Sequence, residues 1–226
     1  ILQALQEAHA ANESKTYFMA AASHDIKQPL HALAILTDTL LMSDLPESTA
    51  RLLHKQRESV GYISAHFDAL MDIGRFELGQ FEPRPVRVRL GELSARIDAE
   101  IAPLCAHKSL DWNLDMDDVM VFTDAELLLR LLRNLLSNAV QYTDSGEVSC
   151  HAKSQGDSVE FLISDTGCGI AAEHHEAVFG QFVRLGSNGV GSTGVGLGLS
   201  IVEKINQSLE LGLTMTSVPG KGTQFR

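Results

Sequence analysis

At "GQFEPRPVRV", residues 79–88, the apolar spacing of the chain changes character. Before it, apolar residues recur every three or four positions over long stretches; after it, short alternating runs and shorter helical patterns take turns. Gly79, Pro83 and Pro85 enforce the break, because each proline pushes its predecessor toward extended geometry. One continuous helical bundle is thereby excluded. The boundary separates a helical region, residues 1–78, from a second domain, 87–226, with 79–86 as the linker.

In the first region, residues 1 to about 43 place Leu2, Leu5, Phe18, Ala22, Leu33, Leu36 and Leu40 at inward helical positions. "SDLPES" then supplies cap-type residues, and Pro46 suits the first turn of a second helix. That helix carries Leu53, Gln56, Val60, Ile63, Phe67, Leu70 and Gly74 as a heptad seam ending near Leu78. Two long helices alone have little to pack against, so the seam predicts a second copy and a dimeric four-helix bundle. The alternative is a monomeric hairpin packed on the rest of the chain.

In the second region a helix is expected near 91–107, strands at "DWNLDM" and "VMVF", a helix over 124–141, and strands at "EVSCHAKS" and "SVEFLISD". A short helix near 172–179, a helix near 197–207 and strands at "LELGLTMTS" and "GTQFR" complete the pattern. The fold class is therefore α+β multidomain: a helical hairpin followed by an α/β sandwich with a mixed sheet.

A formal net charge of -11 argues against diffuse binding to nucleic acid or to an anionic membrane, since either needs a basic face. Any phosphate must be gripped locally. Cys105, Cys150 and Cys168 match neither a disulfide framework nor a metal spacing and are read as reduced thiols of a cytoplasmic compartment, two of them buried and one on a loop. No apolar run reaches the roughly 18 residues a bilayer requires, so membrane attachment would belong to segments outside this sequence. Ile1 opens in mid-helix and "GKGTQFR" stops inside a strand, as in a piece of a longer protein.

Four stretches of the second domain carry candidate chemistry. In "LLRNLLSNAV", Arg130, Asn134 and Asn138 lie four apart on one helix face, where amide oxygens could hold Mg²⁺ and the guanidinium could meet phosphate; a solvated polar face explains them equally. "SDTGCGI" puts Asp165 at a strand end, where it could accept a hydrogen bond from an exocyclic amine such as that of adenine; taken singly, a plain turn explains it equally. Gly167 and Gly169 shape the following turn for close backbone approach. "GSTGVGLGLSIV" brings Gly191, Gly194, Gly196 and Gly198 to the start of a helix, an anion-binding arrangement. "SVPGKGT" adds Gly220, Gly222 and Thr223, by itself a hairpin turn. "GVGSTG" matches the dinucleotide fingerprint in letters only, because no strand precedes it and the helix starts later.

In this order, Asn134 and Asn138, "DTGCGI", "FGQF" with Phe179 and Phe182, "GVGLGL" and "GKGTQF" resemble the N, G1, F, G2 and G3 boxes of sensor histidine kinases. "ASHDIKQPLHAL" resembles their phosphoacceptor box, and the likeness runs from about residue 14 to the end. It implies a dimerising phosphoacceptor hairpin joined to a Bergerat-type ATP-binding domain. ATP and Mg²⁺ would be the cofactors, a homodimer the assembly, and a response-regulator receiver domain the partner. The wording of the first box is similar to that of hybrid members, in which a receiver domain follows.

His24 shares a helix face with Lys27, Gln28 and His31 and so points at solvent. A neutral imidazole near pH 7 offers a free lone pair, Asp25 can accept the other ring N–H, and Pro29 removes the bond to the Asp25 carbonyl and should loosen the helix there. The family implies His24 Nε2 as phosphoacceptor and Gln28 as the position that orients water when a receiver is dephosphorylated. It likewise implies nucleotide contacts at Arg130, Asn134, Asn138, Tyr142, Asp165, Gly167, Gly169, Phe182, Gly194, Gly196, Gly198 and Thr223, with Mg²⁺ at Asn134 and Asn138. Relatives that hydrolyse ATP resemble Glu-x-x-x-Asn at this helix; Asn134 replaces that glutamate and leaves water without a base. Gln141 stands where the family commonly has a phosphate-reaching lysine, which supports one rival reading, a catalytically degenerate dimeric scaffold.

Overall fold

The computed structural model describes residues 25–43, 45–77, 82–183 and 196–226. They belong to two compact units that divide between Phe81 and Glu82.

The first unit is a hairpin of α1 (25–41) and α2 (Glu47–Glu77). Pro46 sits just before α2 and its carbonyl accepts the first helical bonds, from Thr49 N at 2.8 Å and Ala50 N at 3.0 Å. Glu47 in the first turn complements the helix dipole. Lys27 pairs with Asp68 at 2.5 Å and Arg57 with Asp38 at 3.0 Å, tying the helices at two heights.

The single seam expected on α2 is in fact two stripes. Leu53, Val60, Phe67 and Gly74 turn toward α1 and are buried or half-buried, whereas Gln56, Ile63 and Leu70 are exposed. On α1 the leucines expected to point inward, Leu33, Leu36 and Leu40, lie on the outer surface with Ile26, while Thr37 takes the buried place at 2 % exposure. Its hydroxyl is satisfied by donating to the Leu33 carbonyl at 2.7 Å. Both helices thus carry an inner stripe used within the chain and an outer apolar stripe that is not. Leu2, Leu5, Phe18 and Ala22 lie outside the described residues.

The second unit holds a five-stranded sheet in the order β2-β4-β5-β7-β6. Its strands are β2 (Asp111–Met116), β4 (Glu147–Gln155), β5 (Ser158–Asp165), β6 (Met215–Val218) and β7 (Gly222–Phe225). β2 runs parallel to β4 and every other pair is antiparallel, so the sheet is mixed. A separate antiparallel pair joins β1 (Val86–Arg89) to β3 (Met120–Thr123). β1 begins at Val86, the last residue of the expected linker, and runs to Arg89, where no strand was expected; pairing with β3 along its full length holds it.

Helices α3 (Leu90–Lys108), α4 (Ala125–Tyr142) and α5 (Gly198–Leu209) form one layer, and α4 lies against both β4 and β5. Cys150, Ile163 and Phe225 face each other in register across three strands and are buried, as are Val148 and Ala152 on the same side of β4. Burial pushes the Cys150 thiol up to about 12 and raises that of Cys105, so both behave as small apolar side chains; Cys168 is exposed. Asp124 caps α4 by accepting from Glu126 N at 3.1 Å and Leu127 N at 3.0 Å, and also accepts from Arg84 N at 2.9 Å.

Two expected elements are shorter than the sequence suggests. Residues 172–179 form two single 3₁₀ turns, Ala172–His174 and Ala177–Phe179, instead of one helix. α5 runs on to Leu209 and a turn with Gly212 at φ +71° follows, so only the last three residues of "LELGLTMTS" are strand, which runs Met215–Val218.

Candidate functional site

On α4 the inner face is leucine: Leu128, Leu129, Leu132, Leu135 and Leu136 are at most 5 % exposed. Burying that face fixes the helix rotation and brings Asn134 and Asn138 to the half-buried flank. Asn134 Nδ2 donates to the Arg130 carbonyl at 2.9 Å. That bond leaves its Oδ1 turned toward the start of α5. A Cβ placed on Gly198 would stand 3.3 Å from Asn134 Oδ1, 3.5 Å from Asn138 Nδ2 and 3.7 Å from Asn138 Oδ1, so glycine there keeps space in front of both amides. The Asn134 amide oxygen at this helix N-terminus, with the Asn138 amide beside it, could serve Mg²⁺, which takes few protein ligands and completes its shell with water and phosphate oxygens. Among the described residues no group of three or more His, Cys, Asp or Glu gathers as a metal cluster, so such an ion would depend on these amides and on its ligand's own oxygens.

At the end of β5, Asp165 Oδ1 accepts from Gly167 N at 2.9 Å and from Thr223 N at 3.2 Å. Burial raises its pKa, and the two backbone donors oppose that shift. The surrounding backbone is tight enough to require glycine. A Cβ on Gly169, at φ +66°, would strike the Val218 carbonyl, and one on Gly167 would strike that of Tyr142. Thr223 is buried on β7, and its hydroxyl lies 2.8 Å from that of Ser217, which in turn receives Ile170 N at 2.8 Å.

Between these two edges opens a cavity of about 290 Å³. Asn138, Tyr142, Asp165, Gly169 and Thr223 all line it. Its remaining walls are largely apolar, with Leu135, Ile163, Val178 and Phe225 among them. A largely apolar cavity with one carboxylate and a few polar atoms suits a heteroaromatic ligand.

The other expected contacts are distributed differently. Asn134 and Gly198 stand beside the cavity, while Arg130, Gly167 and Gly196 are not in its lining. Phe182 does not line it either: it is 59 % exposed, at φ +62°, with its N–H bonded to the Gly196 carbonyl at 3.0 Å. Val183, the next residue, is in the lining. Asp25 and Gln28 lie on the exposed surface of α1 in the other unit. His24 and Gly194 fall outside the described residues.

Sequence reasoning missed two things here. The apolar walls come from positions that read simply as core, such as Leu135 and Ile163. Lys108, at the end of α3, donates to the carbonyls of Val140, Gln141 and Thr143, a contact across more than thirty residues that leaves no local pattern.

Comparison with known proteins matches this geometry. Residues 14–79 match the family model of the His Kinase A (phospho-acceptor) domain, and 123–226 that of the histidine kinase-, DNA gyrase B- and HSP90-like ATPases. Sensor histidine kinase RcsC of Escherichia coli (strain K12) is 31% identical over 225 residues, covering 97% of this chain and 24% of the relative. Virulence sensor protein BvgS of Bordetella pertussis is 32% identical over 230 residues, covering 95% of this chain and 18% of the relative. The chain thus spans a quarter or less of these curated relatives. Among solved structures, full-length ShkA in complex with AMPPNP superposes with a TM-score of 0.73 at 22% identity over 92% of this chain and 44% of that one. The Acinetobacter baumannii histidine kinase AdeS gives 0.63 at 18% identity over 89% and 95%. At these identities the superpositions establish the shared fold.

Proposed function

The chain belongs to the sensor histidine kinases, as a phosphoacceptor hairpin followed by an ATP-binding domain, and from that premise we propose that it phosphorylates its own His24 from ATP and passes the group to an aspartate of a response-regulator receiver domain. The observation that carries this reading is the convergence of Asn138, Tyr142, Asp165, Gly169 and Thr223 on one cavity, although they come from three separate stretches of sequence.

In the proposed reaction Asp165 accepts a hydrogen bond from the adenine amine, and the apolar walls cover the ring faces. Asn134 and Asn138 would hold Mg²⁺, whose charge compensates the phosphates when it is bound. Gly194, Gly196 and Gly198 lead the chain to the amino end of α5, where backbone N–H groups can meet phosphate. The Nε2 lone pair of His24 forms the new bond to the γ-phosphorus as the bond to the bridging oxygen breaks and ADP leaves. Asp25 holds the ring tautomer and steadies the imidazolium charge, and Gln28 orients water when the receiver is dephosphorylated. Because Asn134 stands where hydrolytic relatives have a base, the site holds ATP for a nucleophile instead of spending it on water. The outer apolar stripe of the hairpin, Ile26, Leu33, Leu36 and Leu40, supports a homodimer. No helix among the described residues is long and apolar enough to cross a membrane, and we place this part of the protein in the cytoplasm. An intact carboxylate and both asparagines around an open cavity favour catalysis over a degenerate scaffold.

Incubation with γ-labelled ATP and Mg²⁺ tests the assignment. Alkali-stable, acid-labile label on the protein, lost in His24→Gln, is expected; label that persists in that variant refutes it.

A further inference from the structure

A positioning residue for the nucleotide pocket lies outside it, at the C-terminal end of α3. The side chain of Lys108 crosses to α4, and its ammonium donates to three carbonyl oxygens: Val140 at 2.8 Å, Gln141 at 3.0 Å and Thr143 at 3.0 Å. α4 has no basic residue in its own last turn, so this cation, supplied by a neighbouring helix, meets the negative end of the helix dipole. Three donors on a compact ammonium match three converging acceptors, which a planar guanidinium cannot do.

The segment so held is one wall of the cavity. The Tyr142 carbonyl accepts Cys168 N at 3.2 Å, and Gly167 packs directly on that carbonyl. Tyr142 and Cys168 both line the cavity, next to Asp165 and Gly169. Residues 142–143 are therefore clamped between the ammonium on one side and the 165–169 turn on the other. Thr143 is fully buried, yet its hydroxyl has no hydrogen-bond partner, so its own side chain adds no bond to those that its backbone carbonyl receives from Lys108.

We propose that Lys108 sets the affinity of the cavity for nucleotide by fixing the 142–143 segment against the Asp165 turn, without touching the ligand. This rests on the nucleotide reading of the cavity. Removing the ammonium leaves three carbonyls without their donor and frees the wall to shift.

The test measures ADP and ATP binding by calorimetry on the whole chain, for the parent, Lys108→Met and Arg133→Met. Arg133 is the control because it also ties α4 to α3, through Glu100 with Nε to Oε2 at 2.5 Å, but does not line the cavity. Lys108→Met is expected to weaken ADP and ATP about tenfold alike, because the defect is in the wall and not at the phosphates; Arg133→Met should melt earlier yet bind within twofold of the parent. Should Lys108→Met not fold, Lys108→Gln, which keeps two donors, is read instead, with about threefold loss expected. Parent-like affinity in the folded lysine variant, or an equal loss in Arg133→Met, overturns the positioning role. Failure of the parent to bind either nucleotide overturns the reading of the cavity itself.

Discussion

The two units solve the problem of burial in opposite ways. In the α/β unit every helix of the layer turns a leucine- or isoleucine-rich face onto its neighbours or the sheet: Leu90 and Ile97 on α3, Leu129, Leu132 and Leu136 on α4, and Val202 and Ile205 on α5 are at or near zero exposure. In the hairpin only Thr37, Val60 and Gly74 are buried among the described residues, and Ile26, Leu33, Leu36, Leu40, Leu52, Ile63 and Leu70 stay exposed. Both units are built from amphipathic helices of ordinary composition. A sheet supplies a broad apolar floor that a two-helix hairpin lacks, so the α/β unit completes its core within one chain while the hairpin does so only with another surface.

The sharpest way to break this contrast is Leu36→Glu. Leu36 is 60 % exposed in the single chain, so a lone hairpin should tolerate glutamate. In a bundle closed by a second copy, two unpaired carboxylates would be buried, at a cost of about 4 kcal/mol, or roughly a thousandfold in the dimer dissociation constant. Sedimentation equilibrium reads the change, and an unaltered association state would show that the outer stripe is not the dimer seam. Next in size is Leu132→Ala, at zero exposure under α4. It should cost about 3 kcal/mol in the unfolding of the α/β unit while leaving association unchanged. Trp112, the only tryptophan, reports on that unit alone, since its indole N–H donates to Asp98 Oδ1 at 2.8 Å. A smaller effect separates site from core. Asp165→Ala should weaken ADP by about 2 kcal/mol, some 30-fold, because a charge-assisted acceptor is lost. Calorimetric affinity close to that of the parent would remove Asp165 from the base-reading role.

How much of this was legible follows from the same contrast. Where a segment buries one face against its own chain, periodicity identified it: "SVEFLISD" is β5 to the residue, and the leucines of α4 lie where their spacing puts them. On α2 a period of 3.5 was visible, but position alone does not say whether Ile63 meets α1 or another molecule, and the two stripes merged into one seam. The site followed the same rule. Asp165 and Asn138, singled out because their chemistry is unusual for a strand end and a helix flank, line the cavity, while Ile163 and Phe225 are ordinary core residues until the sheet places them there. Phe182, expected among the nucleotide contacts, is not in the lining of this cavity, and its left-handed backbone angle has no sequence signature.

The smallest expected effect is one of pH, and its sign differs between site and surface. Burial raises the pKa of Asp165, so the folded unit holds that proton more tightly than the unfolded chain does. Its favourable share of stability is therefore complete below the ordinary aspartate range of about 4 and disappears as pH rises through the higher folded value. Nucleotide affinity should run the other way, since only the carboxylate accepts from an amine, and should begin to weaken on acidification before ordinary carboxylates protonate. Asp117 and Asp118 oppose this. Asp117 is lowered first by Ser154 N and then by Lys153, and Asp118 by Arg89, so what they add to stability is present above the ordinary range and is lost only as pH falls through their depressed values. Acidifying the protein should thus cost nucleotide affinity first and stability later. Asp165→Asn, which cannot titrate, should flatten the affinity curve and leave the later loss of stability in place; parallel affinity curves for Asn and Asp would mean that another group governs the binding.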